Sequence, residues 1–220
     1  MLKSIITICI IISVIKLVLA GLKRIKMFSS SPKIKGKLGE WATRRILRSV
    51  ASSYDNCFVV NDMLLKTGNA TAQIDHVLVL NNLVYVVETK NYSGLAQGSS
   101  YVDYWMINGN KMYSPFYQNR THIAVLKDIL ESKGFTNLQF INVVSIPNRK
   151  TEVRFKCSYA NENIIRRKKD LKKLIEKQYF DSLLITNNGI KKVLVPYTKY
   201  SKKDLEKHIA KIKGKRGMEV

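Results

Sequence analysis

The sequence predicts an α/β or α+β domain preceded by a single membrane-spanning segment. Three observations lead there. Residues 34 to 146 alternate between helical and strand periodicity in the order helix, strands, helix, strand. The whole 220-residue chain is 45% apolar and 25% charged, the balance of a globular protein. Its first 22 residues are almost uncharged.

The run "SIITICIIISVIKLVLA" (4–20), extended to Leu22, approaches the ~20 apolar residues that span a bilayer. A cleaved secretory signal is the rival reading, with Lys3 before the apolar run and "VLA" before Gly21. Lys16 interrupts the apolar run close to that cleavage point, whereas near the end of an anchor helix its stem can reach the interface. Lys23, Arg24 and Lys26 follow at once, which by the positive-inside rule keeps that flank in the cytoplasm. The expectation is a single-pass anchor over 1–22, a basic tether over 23–33 and a cytoplasmic C-terminal domain; the alternative is secretion after cleavage at Ala20.

The elements then follow in order. Ile34, Leu38, Trp41, Ala42, Ile46 and Val50 recur at helical spacing, so 34–53 is read as a helix. A strand is expected over 57–65, a turn at "KTGNA" (66–70), and two further strands over 73–80 and 83–90 joined by Asn81-Asn82. "NYSGLAQG" (91–98) reads as a loop, and 104–113 as a short hairpin turning at Asn108-Gly109. Residues 116–133 have a helical face of Ile123, Leu126 and Leu130, and 138–146 form a buried strand stopped by Pro147. The domain is thus expected over 34–150, followed by a basic region, 151–220, with a helix over 163–178, a hairpin over 183–197 and a terminal helix capped by Ser201.

Charge is unevenly placed. Of the net +22, residues 22–48 carry +8, residues 49–146 carry −1 and residues 147–220 carry +13. Basic arms around a near-neutral centre suit a polyanion, either nucleic acid or an anionic membrane; a solvated lysine-rich surface is the plainer alternative. Three scattered cysteines imply neither a disulfide framework nor a zinc site. With no Walker-type P-loop and no serine nucleophile elbow, no nucleotide cofactor and no serine hydrolase chemistry are expected.

Within "QIDHVLVLNNLVYVVETK" (73–90), a two-residue turn at Asn81-Asn82 sets Asp75 opposite Glu88 and Gln73 opposite Lys90. Opposed like charges repel, so the pair wants a cation. Two carboxylates with open water positions are what Mg²⁺ takes, and a lysine beside them suits phosphodiester hydrolysis. The plainer reading is that both acids mark where the strands meet water. His76 alternates to the opposite face.

These residues resemble a known family. Glu40 in an early helix, "QIDHV" at 73–77, "ETK" at 88–90, Gly94, Trp105, Gly109 and "SPFYQ" ending at Gln118 look like the nuclease-related domain, NERD, of the PD-(D/E)XK superfamily, over about 34–146. The resemblance implies a restriction-endonuclease-like core, a central mixed sheet flanked by helices. It implies that Asp75 and Glu88 bind Mg²⁺ or Mn²⁺, that Lys90 assists the attacking water, and that Glu40 completes the site as a third metal ligand, although an i,i+4 pairing of Glu40 with Arg44 is equally simple. Gln73 and Gln118 become amides supporting the site or touching phosphate. Tyr104 and Trp105 are candidates for stacking on a base. The expected function is a membrane-anchored, divalent-metal-dependent nuclease acting on DNA; the alternative is a non-catalytic module binding nucleic acid or anionic membrane on the same fold.

Overall fold

The computed structural model describes residues 14–19, 31–68, 70–156, 161–179 and 188–217. The chain divides into two compact units, residues 1–38 and 39–220. In the first, residues 14–19 are helical and helix α1 (Pro32–Ala51) begins. The expected tether therefore gives way to helix at Pro32, where proline suits a first turn. The rest of the expected anchor, and 23–30 of the tether, lie outside the described residues. Among the described residues, no helix is long and apolar enough to cross a membrane.

In the second unit, β1 (Cys57–Thr67), β2 (Ala70–Leu80) and β3 (Leu83–Thr89) form an antiparallel meander. Strands β7 (Gln139–Ser145) and β9 (Glu162–Ile165) extend it in parallel, giving a mixed sheet of order β1-β2-β3-β7-β9. A second sheet, of order β6-β5-β4-β8, contains β4 (Gly94–Ser99), β5 (Tyr104–Ile107), β6 (Asn110–Tyr113) and β8 (Thr151–Lys156). The helices are α2 (Pro115–Glu131), α3 (Lys168–Tyr179), α4 (Asn188–Leu194), continued by a 3₁₀ turn (Val195–Thr198), and α5 (Lys202–Gly217).

Helices cover both faces of the larger sheet. Leu126 and Leu130 of α2 and Ile190 and Leu194 of α4 pack with Ile74, Val79, Val84 and Val86. Leu47 and Val50 of α1 and Leu171 and Ile175 of α3 pack with Leu78, Leu80, Tyr85 and Val143. Burial on both faces is why β3 reads as an unbroken apolar run instead of an alternating one.

Tertiary contacts overrule several local readings. Residues 94–98, expected in a loop, lie in β4, because β8 lies parallel to it across the chain. Residues 162–165, expected mostly within a helix, form β9 against β7. Residues 188–194, expected in a hairpin, are helical, since Ile190 and Leu194 at i,i+4 spacing both bury in the core against β1. The chain beyond residue 150, expected as a separate region, supplies a strand to each sheet. Trp105, a candidate for base stacking, is wholly buried at 4.5 Å from Phe155 and 5.8 Å from Phe116, its indole N–H donating to the Ser99 carbonyl. The Ser201 cap holds as expected: its Oγ accepts from Asp204 N–H while the Asp204 carboxylate accepts from Ser201 N–H.

A buried amide pair fixes α2 to the sheet. Asn119 Nδ2 donates to the Val86 carbonyl (2.7 Å) and to Asn142 Oδ1 (2.8 Å), and Asn142 Nδ2 donates to the Phe116 carbonyl (3.0 Å). Removing one partner strands the others without water. Asn119→Ala is expected to lower the unfolding free energy by about 1–3 kcal/mol, read as a lower urea midpoint at unchanged slope.

Candidate functional site

The site is built on the β2–β3 hairpin. Its two-residue turn, with Asn81 at φ 53°, sets Leu80 opposite Leu83 and His76 opposite Val87, the register expected from the sequence. Beyond that last pair, Asp75 Oδ2 accepts the Thr89 N–H at 2.8 Å, holding the open ends of the strands together.

Glu88 is only 4% exposed. Val84 and Val86 lie under α2, and strand period two sends Glu88 to that same face. There its Oε1 accepts from Lys90 Nζ at 2.7 Å, and Lys90 Nζ also donates to Gln118 Oε1 of α2 at 3.1 Å. Glu88 Oε2, which has no hydrogen-bond partner, faces His122 Nδ1 at 3.5 Å. His122 was missed in the sequence reading; its position one helical turn after Gln118, on the same face of α2, was the available signal.

Helix α1 brings the remaining acid. A Cβ on Gly39 would lie 2.6 Å from Asn91 Cβ and 3.3 Å from Thr89 Cγ2, so only glycine lets the helix run this close over the end of β3. Thr43 Oγ1 and Ser145 Oγ share a buried hydrogen bond of 2.8 Å that secures the same approach. Glu40 thereby comes within electrostatic range of Asp75.

Gln73 does not follow the expected pattern. Strict alternation sets it beside Asp75 and opposite Lys90, but alternation breaks here. Val60 and Val77 lie in the core under α2, and so do Met63 and Ile74, three residues away on each strand. The break falls at Asp62, whose φ of 54° interrupts β1 directly across from Asp75. Gln73 Nε2 consequently donates to Asp62 Oδ1 at 3.4 Å, and Tyr200 also hydrogen-bonds to Asp62. His76, on the α1 face, pairs its Nδ1 with Asn61 Oδ1, and burial, helped by the Arg44 charge, pushes its pKa down to about 3.

The electrostatics are those of crowded acids in a dry place. Burial raises the Asp75 pKa well above the carboxylate range; Glu88 and, more weakly, Glu40 raise it further, against the Thr89 N–H and Lys90. For Lys90, burial works to lower the pKa, but the charge and hydrogen bond of Glu88 outweigh it and the net direction is up, so the ammonium stays charged. Burial lowers the His122 pKa, with only partial opposition from Glu88. Among the described residues, no three His, Cys, Asp or Glu side chains are grouped to hold a metal ion.

Folding raises the Asp75 pKa, so between the ordinary and the raised value the native chain keeps a proton that the unfolded chain has lost. That stabilisation is complete below the ordinary carboxylate pKa and is lost as pH rises through the window. Asp75→Asn keeps an acceptor for the Thr89 N–H without the charge. In EDTA at pH 7 it is expected to raise the unfolding free energy and to flatten the pH slope, measured by denaturation at several pH values.

The family model of the nuclease-related domain, NERD, matches residues 35–147, from α1 through the β2–β3 hairpin and α2 to the end of β7. An uncharacterized protein of Bacillus anthracis is 29% identical over 174 residues, 74% of either chain. No solved structure matches. With half of its length matched, and with Glu40, Asp75, Glu88, Lys90 and Gln118 all inside the matched span, the chain belongs to the nuclease-related domain (NERD) family.

Proposed function

We propose that this protein is a membrane-anchored, divalent-metal-dependent nuclease that hydrolyses phosphodiester bonds in DNA. The observation carrying the proposal is the buried Glu88–Lys90 pair at the open end of a hairpin whose other strand presents Asp75. Two acids and a protonated lysine gathered at one strand end suit the binding and cleavage of a phosphate ester.

The donor set fits Mg²⁺ or Mn²⁺. Asp75 is destabilised as an anion by burial, by Glu88 and, more weakly, by Glu40, and Glu88 Oε2 is buried without a hydrogen-bond partner; a hard cation relieves both. Mg²⁺ is commonly held by only one or two carboxylates, with water and phosphate oxygens completing its shell. Asp75 and Glu88 would hold it, with Glu40 as the further acid. A bound divalent ion supplies charge neutralisation at the scissile phosphate and a more acidic water. Lys90, kept protonated by Glu88 and aimed by Gln118, stabilises the negative charge that develops as a water oxygen bonds to phosphorus and the ester P–O bond breaks. His122 supports the inner side of Glu88. The basic segments flanking the site hold the DNA backbone through non-specific phosphate contacts.

A second reading, a non-catalytic nucleic-acid-binding module, draws support from two observations. No three-ligand metal group occurs among the described residues, and Glu88 already has an ammonium partner, Lys90, at 2.7 Å.

Full-length protein incubated with plasmid DNA is expected to cut it in Mg²⁺ or Mn²⁺ and not in EDTA. Asp75→Ala and Lys90→Ala each lower the rate by at least ~10²-fold. Folded wild type that binds DNA yet never cuts it under any metal would reject the enzyme and leave the binding module. For the anchor, the cellular protein is expected to keep Met1 and to resist carbonate extraction from membranes, with residues 39–220 open to protease on the cytoplasmic side. A mature N-terminus at Gly21 would show secretion instead.

A further inference from the structure

The β5–β6 hairpin has two unlike faces. Trp105 and Ile107 point into the core, while Tyr104 and Met106 point out. Pairing sets Tyr113 opposite Tyr104 and Lys111 opposite Met106, so all four share the outer face. Tyr104, Met106 and Tyr113 are each at least 40% exposed. Lone exposed rings need no explanation, but these are continuous: Tyr104 and Tyr113 lie 6.0 Å apart edge to face, and Tyr117, on the first turns of α2, follows 6.5 Å from Tyr113.

Cations interleave with the rings. Lys111 Nζ sits 4.2 Å from the centroid of Tyr104, and the Arg120 guanidinium 4.4 Å from that of Tyr117. The Arg120 guanidinium also pairs with Glu162 at 2.8 Å, so Lys111 is the principal cation the row presents, on a chain of net charge +22. A hydrophobic protein partner would be met by an apolar patch with a polar rim; here positive charge lies within the aromatic row. Aromatic faces alternating with cations match unpaired bases on a phosphate backbone. A duplex hides its base faces in the stack and offers these rings nothing to cover.

We propose that the outer face of the β5–β6 hairpin, continued by Tyr117, is a stacking platform for single-stranded nucleic acid. The inference deepens the nucleic-acid reading of the site and rests on it. The row also has a direction: Tyr117 immediately precedes Gln118, whose Oε1 accepts from Lys90, so a strand lying along the rings arrives on the same helical turn that aims the lysine.

The test uses full-length protein carrying Asp75→Asn, in EDTA, so that binding is read without cutting. Fluorescence anisotropy compares a labelled oligo-dT, its abasic counterpart and a duplex of equal length. Tyr104→Ala with Tyr113→Ala is expected to weaken oligo-dT binding by ~10-fold or more and to leave the abasic strand and the duplex within about threefold. Tyr→Phe at both positions keeps oligo-dT binding, because the ring does the stacking. Unchanged oligo-dT affinity in the alanine pair, or an equal loss in the phenylalanine pair, overturns the platform; the first result would direct the face toward a protein partner. Should the alanine pair unfold, photocrosslinking of a 5-iodouracil oligonucleotide to the parent decides the matter: adducts on Tyr104, Tyr113 or Tyr117 support the platform, and adducts confined elsewhere overturn it. Metal-dependent cutting by protein with Asp75 intact is scored separately. Tyrosine-dependent binding without cutting removes the nuclease reading alone, and cutting with tyrosine-independent binding removes the platform alone.

Discussion

Glu88 lies one residue before the end of a strand in which Leu83, Val84, Tyr85, Val86 and Val87 are all inaccessible to solvent, and its own carboxylate is almost as deeply placed. An ionised acid in such surroundings costs several kcal/mol unless it is paired. The structure answers with Lys90 at 2.7 Å on one oxygen and with the His122 imidazole beside the other. Much of the surrounding architecture serves that placement. The sheet must be covered on both faces to exclude water, α2 must cross near the end of β3 to deliver Gln118 and His122, and Asn119 must lock that helix to the Val86 carbonyl one turn away.

The second requirement is an anion with less relief. Asp75 is buried in the field of Glu88 and, more weakly, of Glu40, and against these stand only the Thr89 N–H and the charge of Lys90, which Glu88 already holds. Structure built for stability alone would place an amide or an apolar side chain there. A carboxylate kept where ionisation is unfavourable is the sort of local conflict that marks functional sites, and it is what gives the proposed metal its binding energy. The approach of α1 belongs to the same arrangement: bare Gly39 admits the helix, the Thr43–Ser145 hydrogen bond holds it, and Glu40 comes within electrostatic range of Asp75 as a result.

The interruption at Asp62 shows how one residue re-aims a strand. A left-handed conformation inside β1 costs backbone energy, which aspartate tolerates better than most residues. It turns the local alternation by one position across both β1 and β2. Asp75 keeps its place beside Glu88, while Gln73 is turned toward Asp62 and the C-terminal segment at Tyr200. A residue distant in sequence is thereby brought to the rim of the site, which no count of strand positions from the hairpin turn anticipates.

What the sequence determined by itself was local and periodic. The β2–β3 register follows from a two-residue asparagine turn between apolar runs, α1 and α2 from apolar residues at helical spacing, and the Ser201 cap from side chains three residues apart, because each rests on contacts within a few residues along the chain. The register as far as His76 opposite Val87 was legible for the same reason. What only tertiary structure decided were features whose partners lie far away in sequence. Residues 94–99 become a strand because β8 lies beside them, residues 188–194 a helix because β1 and the core around it offer a surface for Ile190 and Leu194, and Trp105 a core residue because Phe116 and Phe155 close over it. His122 reaches Glu88 only once α2 has packed on the sheet, since burial and pairing across the fold are set by which surfaces exclude water together.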